Sequence, residues 1–224
     1  MFSRPFAALA LAVAGGLLWV GSAAPVDAQA KDEYAIEAFS APPPAELADP
    51  IKAELGPSAI RLKKGTQTVA EIWLRTTIPT VEPTAPLGRS YPQLPDMALL
   101  GAIRVSAPMK DNRDQGFPTG LYVMRHGIQP QNGDHSGSTD FIDFALLLNA
   151  QGDKTVNGHY ATPLDMMKQS IADKKGEHPI VFALLPPKAA TQPSLTKDAK
   201  DHWVLEAKAG NLVLAIMIVG SYEH

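Results

Sequence analysis

The fold is decided by residues 120–149, which read GLYVMRHGIQPQNGDHSGSTDFIDFALLLN. Two apolar runs, residues 119–126 and 140–149, are rich in the aliphatic and aromatic side chains that strands favour. Between them lie Asn-Gly-Asp and Ser-Gly, which are typical of turns. The stretch therefore predicts two antiparallel strands joined by a loop of about a dozen residues, longer than the ~2–5 residues of an ordinary hairpin.

Two charged residues are expected to face each other across these strands. Side chains alternate between the two faces of a strand, so Arg125 shares a face with Val123, and Asp143 shares one with Ala145. If the hairpin is centred on Asp134, Arg125 lies directly opposite Asp143. The sequence therefore predicts a structural ion pair between Arg125 and Asp143, and loss of either partner from a buried pair costs ~3–5 kcal/mol.

The loop itself is the leading candidate for a binding site, because long loops on rigid strands concentrate binding residues. Its candidate binding side chains are Gln129, Asn132, Asp134 and His135. We therefore expect non-catalytic binding of a protein or small-molecule partner through residues 127–139. A proline-rich stretch, residues 78–95, predicts an extended surface loop that lies beside this site.

A metal site is the alternative function. Imidazole and carboxylate groups suit Zn²⁺, Cu²⁺ or Mn²⁺, and His126 comes close to Asp134 and His135 if the loop folds back over its own strand. Asp140 or His159 would supply a further ligand. This hypothesis describes a metal-dependent enzyme or a metal-binding protein. The sequence contains no G-x-S-x-G, H-E-x-x-H, Walker or G-x-G-x-x-G motif, so it predicts no catalytic residue and no cofactor other than this divalent metal.

The rest of the chain continues the β pattern. Further strand-like runs lie at residues 31–39, 58–62, 68–76, 98–107, 180–185, 202–207 and 212–219. The 20 prolines in 224 residues disfavour long helices. One helix is expected near residues 163–175, because Thr162 suits an N-cap, Pro163 the first helical position and Asp165 the reciprocal capping role. These elements predict a mainly β, antiparallel β-sandwich, Ig-like or jelly-roll-like, with one or two short helices.

Residues 1–30 have the features of a secretory signal peptide. A positive start is followed by an uncharged apolar stretch at 5–24 and by a small-residue A-Q-A sequence that ends at Ala30. Cleavage after Ala30 leaves a single domain, residues 31–224, exported to the periplasm or the cell exterior with no membrane span. A retained anchor is the alternative, because the apolar stretch is long enough to cross a bilayer, which takes ~20 residues.

Charge and cysteine content exclude several partners and chemistries. The formal net charge is −3, and the sequence has no basic cluster to bind a nucleic-acid backbone or an acidic membrane surface. The chain has no cysteine, which excludes disulfides, thiolate catalysis and blue-copper ligation of the usual type. The fold is therefore expected to be held by packing alone.

One stretch also resembles a known group of proteins. Residues 119–148 contain the pattern G-x-Y-x-x-R-x-G-x-Q-P-x-x-G-D-H-x-G followed by D-F-x-L-L, which is similar to an uncharacterised family of exported bacterial β-sandwich proteins. The resemblance implies export and a sandwich fold. It implies no activity, cofactor or substrate, because none is established for that family.

Overall fold

The computed structural model describes residues 33–83, 88–130, 141–170 and 178–221. The strands are β1 (Tyr34–Ser40), β2 (Leu55–Lys64), β3 (Gln67–Arg75), β4 (Leu99–Val105), β5 (Met109–Lys110), β6 (Gly116–Phe117), β7 (Gly120–Ile128), β8 (Asp143–Asn149), β9 (Val181–Leu185), β10 (Ser194–Lys197), β11 (Trp203–Ala209) and β12 (Leu212–Val219). The helices are α1 (Asp49–Glu54) and α2 (Pro163–Gln169). The prediction of a mainly β, antiparallel protein with one or two short helices is confirmed.

Ten of these strands form one antiparallel sheet in the order β1-β2-β3-β4-β7-β8-β9-β12-β11-β10. Its strands follow chain order as far as β9, and the last three run in reverse order because β12, not β10, pairs with β9. The two ends of the sheet approach each other, since the ring of Tyr34 in β1 packs edge-on against Trp203 of β11 with centroids 5.7 Å apart. The sheet is therefore nearly closed, while β5 and β6 form a separate hairpin.

The main core lies on the inner face of this curved sheet. Side chains from distant strands meet there, for example Ile72 of β3, Met124 of β7 and Ile216 of β12, which are at most 1% exposed. The outer face of β7 is buried as well, because Val123 belongs to a second apolar cluster that includes Ile51 of α1. Both faces of β7 are thus covered, as in a central strand.

The register between β7 and β8 differs from the predicted one. Arg125 lies opposite Leu146, and Asp143 lies opposite Ile128. This is an odd-numbered change of register, so Asp143 is on the other face of the sheet from Arg125. The predicted ion pair between Arg125 and Asp143 is therefore wrong. The physical reason is that β7 and β8 are buried on both faces, so the apolar pattern alone does not select one register.

The helix prediction is confirmed at its start. Thr162 is the N-cap of α2, and its Oγ1 accepts a hydrogen bond from the backbone N of Asp165 at 3.2 Å and donates one to the Asp165 carboxylate at 2.7 Å. α2 ends at Gln169, whereas the prediction continued to residue 175, and residues 171–177 lie outside the described residues. The predicted signal peptide, residues 1–30, also lies outside them. In the part of the chain that the structure describes, no helix is long and apolar enough to cross a membrane.

Candidate functional site

A buried ionic cluster lies where β7 ends and β8 begins. His126 follows Met124 on the inner face of β7, and Asp143 precedes Ala145 on the inner face of β8. Both side chains are completely buried, and Nε2 of His126 lies 2.9 Å from Oδ1 of Asp143. The alternation of side chains along the two strands thus brings an imidazole and a carboxylate together inside the protein.

The third member of the cluster, Arg89, comes from the end of the proline-rich stretch. Residues 89–98, here called the rim segment, lead from that stretch into β4. Nε of Arg89 donates to Oδ1 of Asp143 at 3.1 Å, and the backbone N–H groups of Ser90 and Tyr91 donate to Oδ2 at 2.7 and 3.2 Å. Asp143 therefore joins the start of β8 to the rim segment through charge-assisted hydrogen bonds.

These donors determine the charge state of Asp143. Burial alone would raise the pKa of its carboxyl group, but the hydrogen bond and positive charge of His126, the Tyr91 amide and the Arg89 guanidinium together hold that pKa below its usual value. Asp143 is therefore an ionised carboxylate at neutral pH. The cluster pairs it with a permanently charged guanidinium and with a histidine.

The second ring nitrogen of His126 contacts the rim segment directly. Nδ1 lies 2.8 Å from the carbonyl oxygen of Pro95, so both ring nitrogens face oxygen atoms that accept hydrogen bonds. The backbone reinforces the contact, because the N–H of His126 donates to the carbonyl of Ala98 at 2.8 Å and the N–H of Met97 donates to the carbonyl of His126 at 2.9 Å. The end of β7 is thus bonded to the rim segment through side chain and main chain.

The rim segment is also anchored to the far side of the sheet. Nη2 of Arg89 donates to the carbonyl oxygens of Tyr91 and Leu94 at 2.9 and 3.1 Å, which fixes the local turn. The hydroxyl of Tyr91 accepts a hydrogen bond from the N–H of Ala215 in β12 at 2.8 Å. Tyr91 and Leu94 are each 1% exposed. This part of the proline-rich stretch is therefore buried, and the prediction of a surface loop throughout residues 78–95 is wrong there.

Arg125, the neighbour of His126, forms a separate buried cluster on the outer face of β7. Its Nε and Nη2 donate to the two carboxylate oxygens of Asp153, and both side chains are 0% exposed. Nη1 donates to the carbonyls of Met97 and Val156 at 2.9 and 3.1 Å, and Nη2 donates to that of Thr155. All five guanidinium N–H groups thus have acceptors, as a buried arginine requires. Arg125 holds residues 153–156 against the sheet.

The predicted site residues fall into three groups. Arg125 and Asp143 both form buried ion pairs, although with Asp153 and Arg89 rather than with each other. Gln129 is 5% exposed, and its backbone N–H donates to the carbonyl of Ile142 at 2.8 Å, which closes the base of the loop. The other predicted loop residues, Asn132, Asp134 and His135, lie outside the described residues.

Sequence reasoning missed the two partners, Arg89 and Asp153. Each lies in an irregular stretch, Arg89 after a glycine among prolines and Asp153 after Gln151-Gly152, so no strand or helix periodicity marks it. Such stretches indicate loops, in which a charged side chain is normally solvated. The one available signal was the position of Arg125 and Asp143 within apolar strands, because a charge in such a strand requires a partner.

Of the proposed metal ligands, the structure describes His126 and His159, whereas Asp134, His135 and Asp140 lie outside the described residues. The two ring nitrogens of His126 are occupied by Pro95 and Asp143, so a metal ion bound there would have to replace one of these contacts. His159 stacks on Tyr160 with ring centroids 4.8 Å apart. Over residues 33–83, 88–130, 141–170 and 178–221, no three side chains with metal-ligating groups converge. The metal hypothesis stays a prediction, which the metal content of protein purified without an affinity tag would test.

Comparison of the chain with protein-family models, with curated proteins and with solved structures gives no match. The resemblance of residues 119–148 to exported bacterial sandwich proteins therefore stays a prediction. The chemistry of the site follows from its geometry alone. Arg89, His126 and Asp143 satisfy one another and are at most 1% exposed in their side chains, so the cluster orients the backbone around it.

Proposed function

We propose that this protein is an exported, non-catalytic binding domain whose partner contacts the loop at residues 127–139 and the adjoining proline-rich stretch. The observation that carries the proposal is the Arg89–Asp143–His126 cluster, which joins the rim segment to both strands that bear the loop. Two long connections therefore share one rigid base. Binding loops on a rigid scaffold need no catalytic motif, which fits the lack of one in the sequence.

The burial of the cluster favours a positioning role over catalysis. A general acid or base must come within hydrogen-bond distance of a substrate. Asp143 and His126 are 0% exposed, and their hydrogen-bonding atoms contact protein groups. Their contribution is therefore to hold the neighbouring backbone in place, and the contact with a partner falls to residues that lie further out on the loops.

One exposed apolar side chain supports a protein partner. Val81 is 46% exposed, and its backbone N–H donates to the carbonyl of Gln93 in the rim segment at 2.9 Å. Pro79 and Pro83 flank it and favour an extended backbone. An apolar side chain on such a backbone loses little conformational entropy when a partner covers it.

As the finer description of the fold, we propose that the curved sheet forms the two packed layers of a sandwich.

Site-specific photo-crosslinking in the native host cells tests the binding surface. A photoreactive amino acid is placed at Val81, at Asn132 or at Gln67, which is exposed in the β2–β3 hairpin at the opposite end of the sheet. We expect the same partner adduct at positions 81 and 132 and none at 67. The proposal is wrong if neither loop position forms an adduct, or if all three positions form it equally.

Export is tested independently of binding. Cell fractionation followed by intact-mass measurement is expected to find an exported chain that begins at Lys31, because the A-Q-A sequence suits signal peptidase. An exported chain that still carries residues 1–30 would favour the retained anchor. A chain confined to the cytoplasm would overturn the proposed export.

A further inference from the structure

We propose that the gap between β1 and β10, here called the slit, binds the carboxyl-terminal end of a partner polypeptide as an added strand. This inference goes beyond the proposed function and does not rest on it, because it concerns another part of the sheet. The loop at residues 127–139 joins the fifth and sixth strands in the sheet order, whereas the slit lies between the first and the tenth.

The first step of the argument is the hydrogen-bonding direction of β1. The N–H of Gly65 donates to the carbonyl of Glu33 at 3.1 Å, and the N–H of Ala41 donates to the carbonyl of Pro57 at 2.9 Å. The register of β1 and β2 is unbroken between these two bonds. In an antiparallel ladder, residues bonded to the neighbouring strand alternate with residues whose N–H and C=O groups point away from it. The even-numbered residues of β1, which include Ala38, therefore direct both groups into the slit.

The facing edge of β10 is unpaired in the same way. The N–H of Asp198 donates to the carbonyl of His202 at 2.9 Å, and the register of β10 and β11 continues unbroken from that bond. By the same alternation, Leu195 and Lys197 direct their N–H and C=O groups away from β11. In the part of the chain that the structure describes, β1 and β10 do not pair with each other. An unpaired edge of this kind accepts an additional strand.

The slit contains a cavity of limited size. The β11–β12 turn closes one end of the slit, because it approaches the end of β3 so closely that a Cβ on Gly210 would clash with the carbonyl oxygen of Thr76. Next to this turn lies a cavity of 300 Å³, whose lining includes Ala38 of β1 and Pro193, the residue before β10. Sites for small ligands measure ~300–1,000 Å³, so this cavity is at the lower limit. It therefore admits a short chain end better than the edge of another folded sheet.

The lining of the cavity indicates the chemistry of that chain end. Ile60, Ile72 and Leu74 line it, and each is less than 10% exposed. A chain end with apolar side chains would cover these residues. Its extended main chain would supply the N–H and C=O groups that match those of Ala38.

Two cations, Arg75 and Lys208, complete the lining. Nε and Nη2 of Arg75 donate to Oε2 of Glu54 at 3.0 and 2.8 Å, which leaves Nη1 available. Lys208 is exposed and forms no ion pair with any residue that the structure describes. Two cations and one carboxylate give this part of the slit a net positive charge. The complementary group is a carboxylate, which a polypeptide terminus carries beside its last extended residues.

A library of random hexapeptides with free carboxyl termini tests the proposal. The purified protein is expected to enrich peptides that end in apolar residues. When the terminal carboxylate of an enriched peptide is amidated, its affinity should fall about tenfold or more, because a charge-assisted hydrogen bond is lost. Isothermal titration calorimetry measures both affinities. A lack of enrichment, or equal affinity of the acid and the amide, would overturn the proposal.

Two variants and a control locate the bound peptide. Ala38→Pro removes an N–H that does not bond to β2, which an edge strand tolerates, and should weaken peptide binding about tenfold, the effect of about one hydrogen bond. Lys208→Glu should weaken it by about tenfold or more. Lys168→Glu, an exposed lysine of α2 that does not line the cavity, should bind like the wild type. Unchanged affinity in Lys208→Glu, or an equal loss in Lys168→Glu, contradicts the proposal even if Ala38→Pro does not fold.

A second copy of the chain is the competing occupant of the β1 edge. Light scattering on the wild type and on Ala38→Pro distinguishes it from a partner polypeptide. An oligomeric state that is the same in both proteins supports the proposal. A dimer that forms in the wild type and is lost in a folded Ala38→Pro would assign the edge to a second copy and overturn it.

Discussion

Arg125 and His126 are adjacent on β7, yet their side chains lie on opposite faces of the sheet. Arg125 holds residues 153–156 through Asp153 and also donates to the carbonyl of Met97 in the rim segment, whereas His126 contacts only that segment and Asp143 through its ring. Both clusters are completely buried. They differ in how the carboxylate is used, because Asp153 takes two hydrogen bonds from one guanidinium, whereas Asp143 is shared between Arg89 and His126. One strand thus carries an anchor with its own carboxylate and an anchor with a shared one side by side.

The largest effect is expected from breaking the buried ion pair between Arg125 and Asp153. Asp153→Asn should lower the free energy of unfolding by about 3–5 kcal/mol, because Arg125 keeps a buried charge and loses its counter-charge. Urea denaturation at neutral pH measures this. The control is Asp114→Asn, since Asp114 and its partner Lys110 are 65% and 62% exposed, and such pairs contribute about 0–1 kcal/mol. Equal losses in the two variants would mean that Arg125 does not depend on Asp153.

A smaller loss is expected from the Asp143 cluster. Asp143→Asn removes the carboxylate from Arg89 and His126, but the Arg89 side chain donates only one hydrogen bond to it, at 3.1 Å, whereas Arg125 donates two to Asp153. We therefore expect a loss of about 2–3 kcal/mol, in the range for hydrogen bonds to charged groups. The double variant Asp143→Asn/His126→Gln should cost less than the sum of the two single changes, because both act on one contact. Strict additivity, or a larger loss than in Asp153→Asn, would contradict the comparison.

Acid should weaken the His126 cluster through Asp143. The pKa of Asp143 lies below its ordinary value of 3.8, so the folded state binds this proton more weakly than the unfolded state. The stability it contributes is therefore present above that value and is lost as the pH falls through the lowered pKa. The urea midpoint is measured from about pH 6 down to about pH 3, the range in which carboxylates take up protons. It should fall more steeply in the wild type than in Asp143→Asn.

The control for the acid experiment is Asp96→Asn. Burial raises the pKa of Asp96, so the folded state binds this proton more tightly than the unfolded state does. The contribution of Asp96 to the free energy of unfolding therefore increases as the pH falls, opposite to that of Asp143. Removing this group should leave the wild-type acid loss in place or steepen it. A flatter profile in Asp96→Asn than in the wild type would show that Asp143 is not the source of the loss.

The same two clusters show what the sequence could predict. The strands that carry them, the long loop between β7 and β8 and the Thr162 cap were predictable, because each depends on neighbouring residues. That Arg125 and Asp143 need partners was also predictable, because an apolar strand does not tolerate an unpaired charge. The identity of those partners was not, since period-two alternation leaves the register open when both faces of a strand are buried.

The rim segment shows a second limit of sequence reasoning. Its prolines and irregular pattern predict a surface loop, and residues 81–83 are indeed exposed just before it. Tyr91 and Leu94 are nevertheless buried, because the segment crosses the end of the sheet on its way to β4. Whether a proline-rich connection is buried or exposed depends on the position in the sheet of the strand that follows it. The local amino-acid composition does not contain that information.

The smallest effect is expected from changing Tyr160, whose ring lies beside the Arg125 guanidinium. The Tyr160 ring lies 5.9 Å from the guanidinium of Arg125, near the limit for a cation–π contact. Tyr160→Leu should therefore cost about 0.5–1 kcal/mol, and Tyr160→Phe should cost less because it keeps the ring face. Thermal or urea denaturation of both variants gives the ranking. Arg125 is held mainly by Asp153 and by three backbone carbonyls, so a loss in Tyr160→Leu as large as that in Asp153→Asn would assign the anchoring to the ring instead.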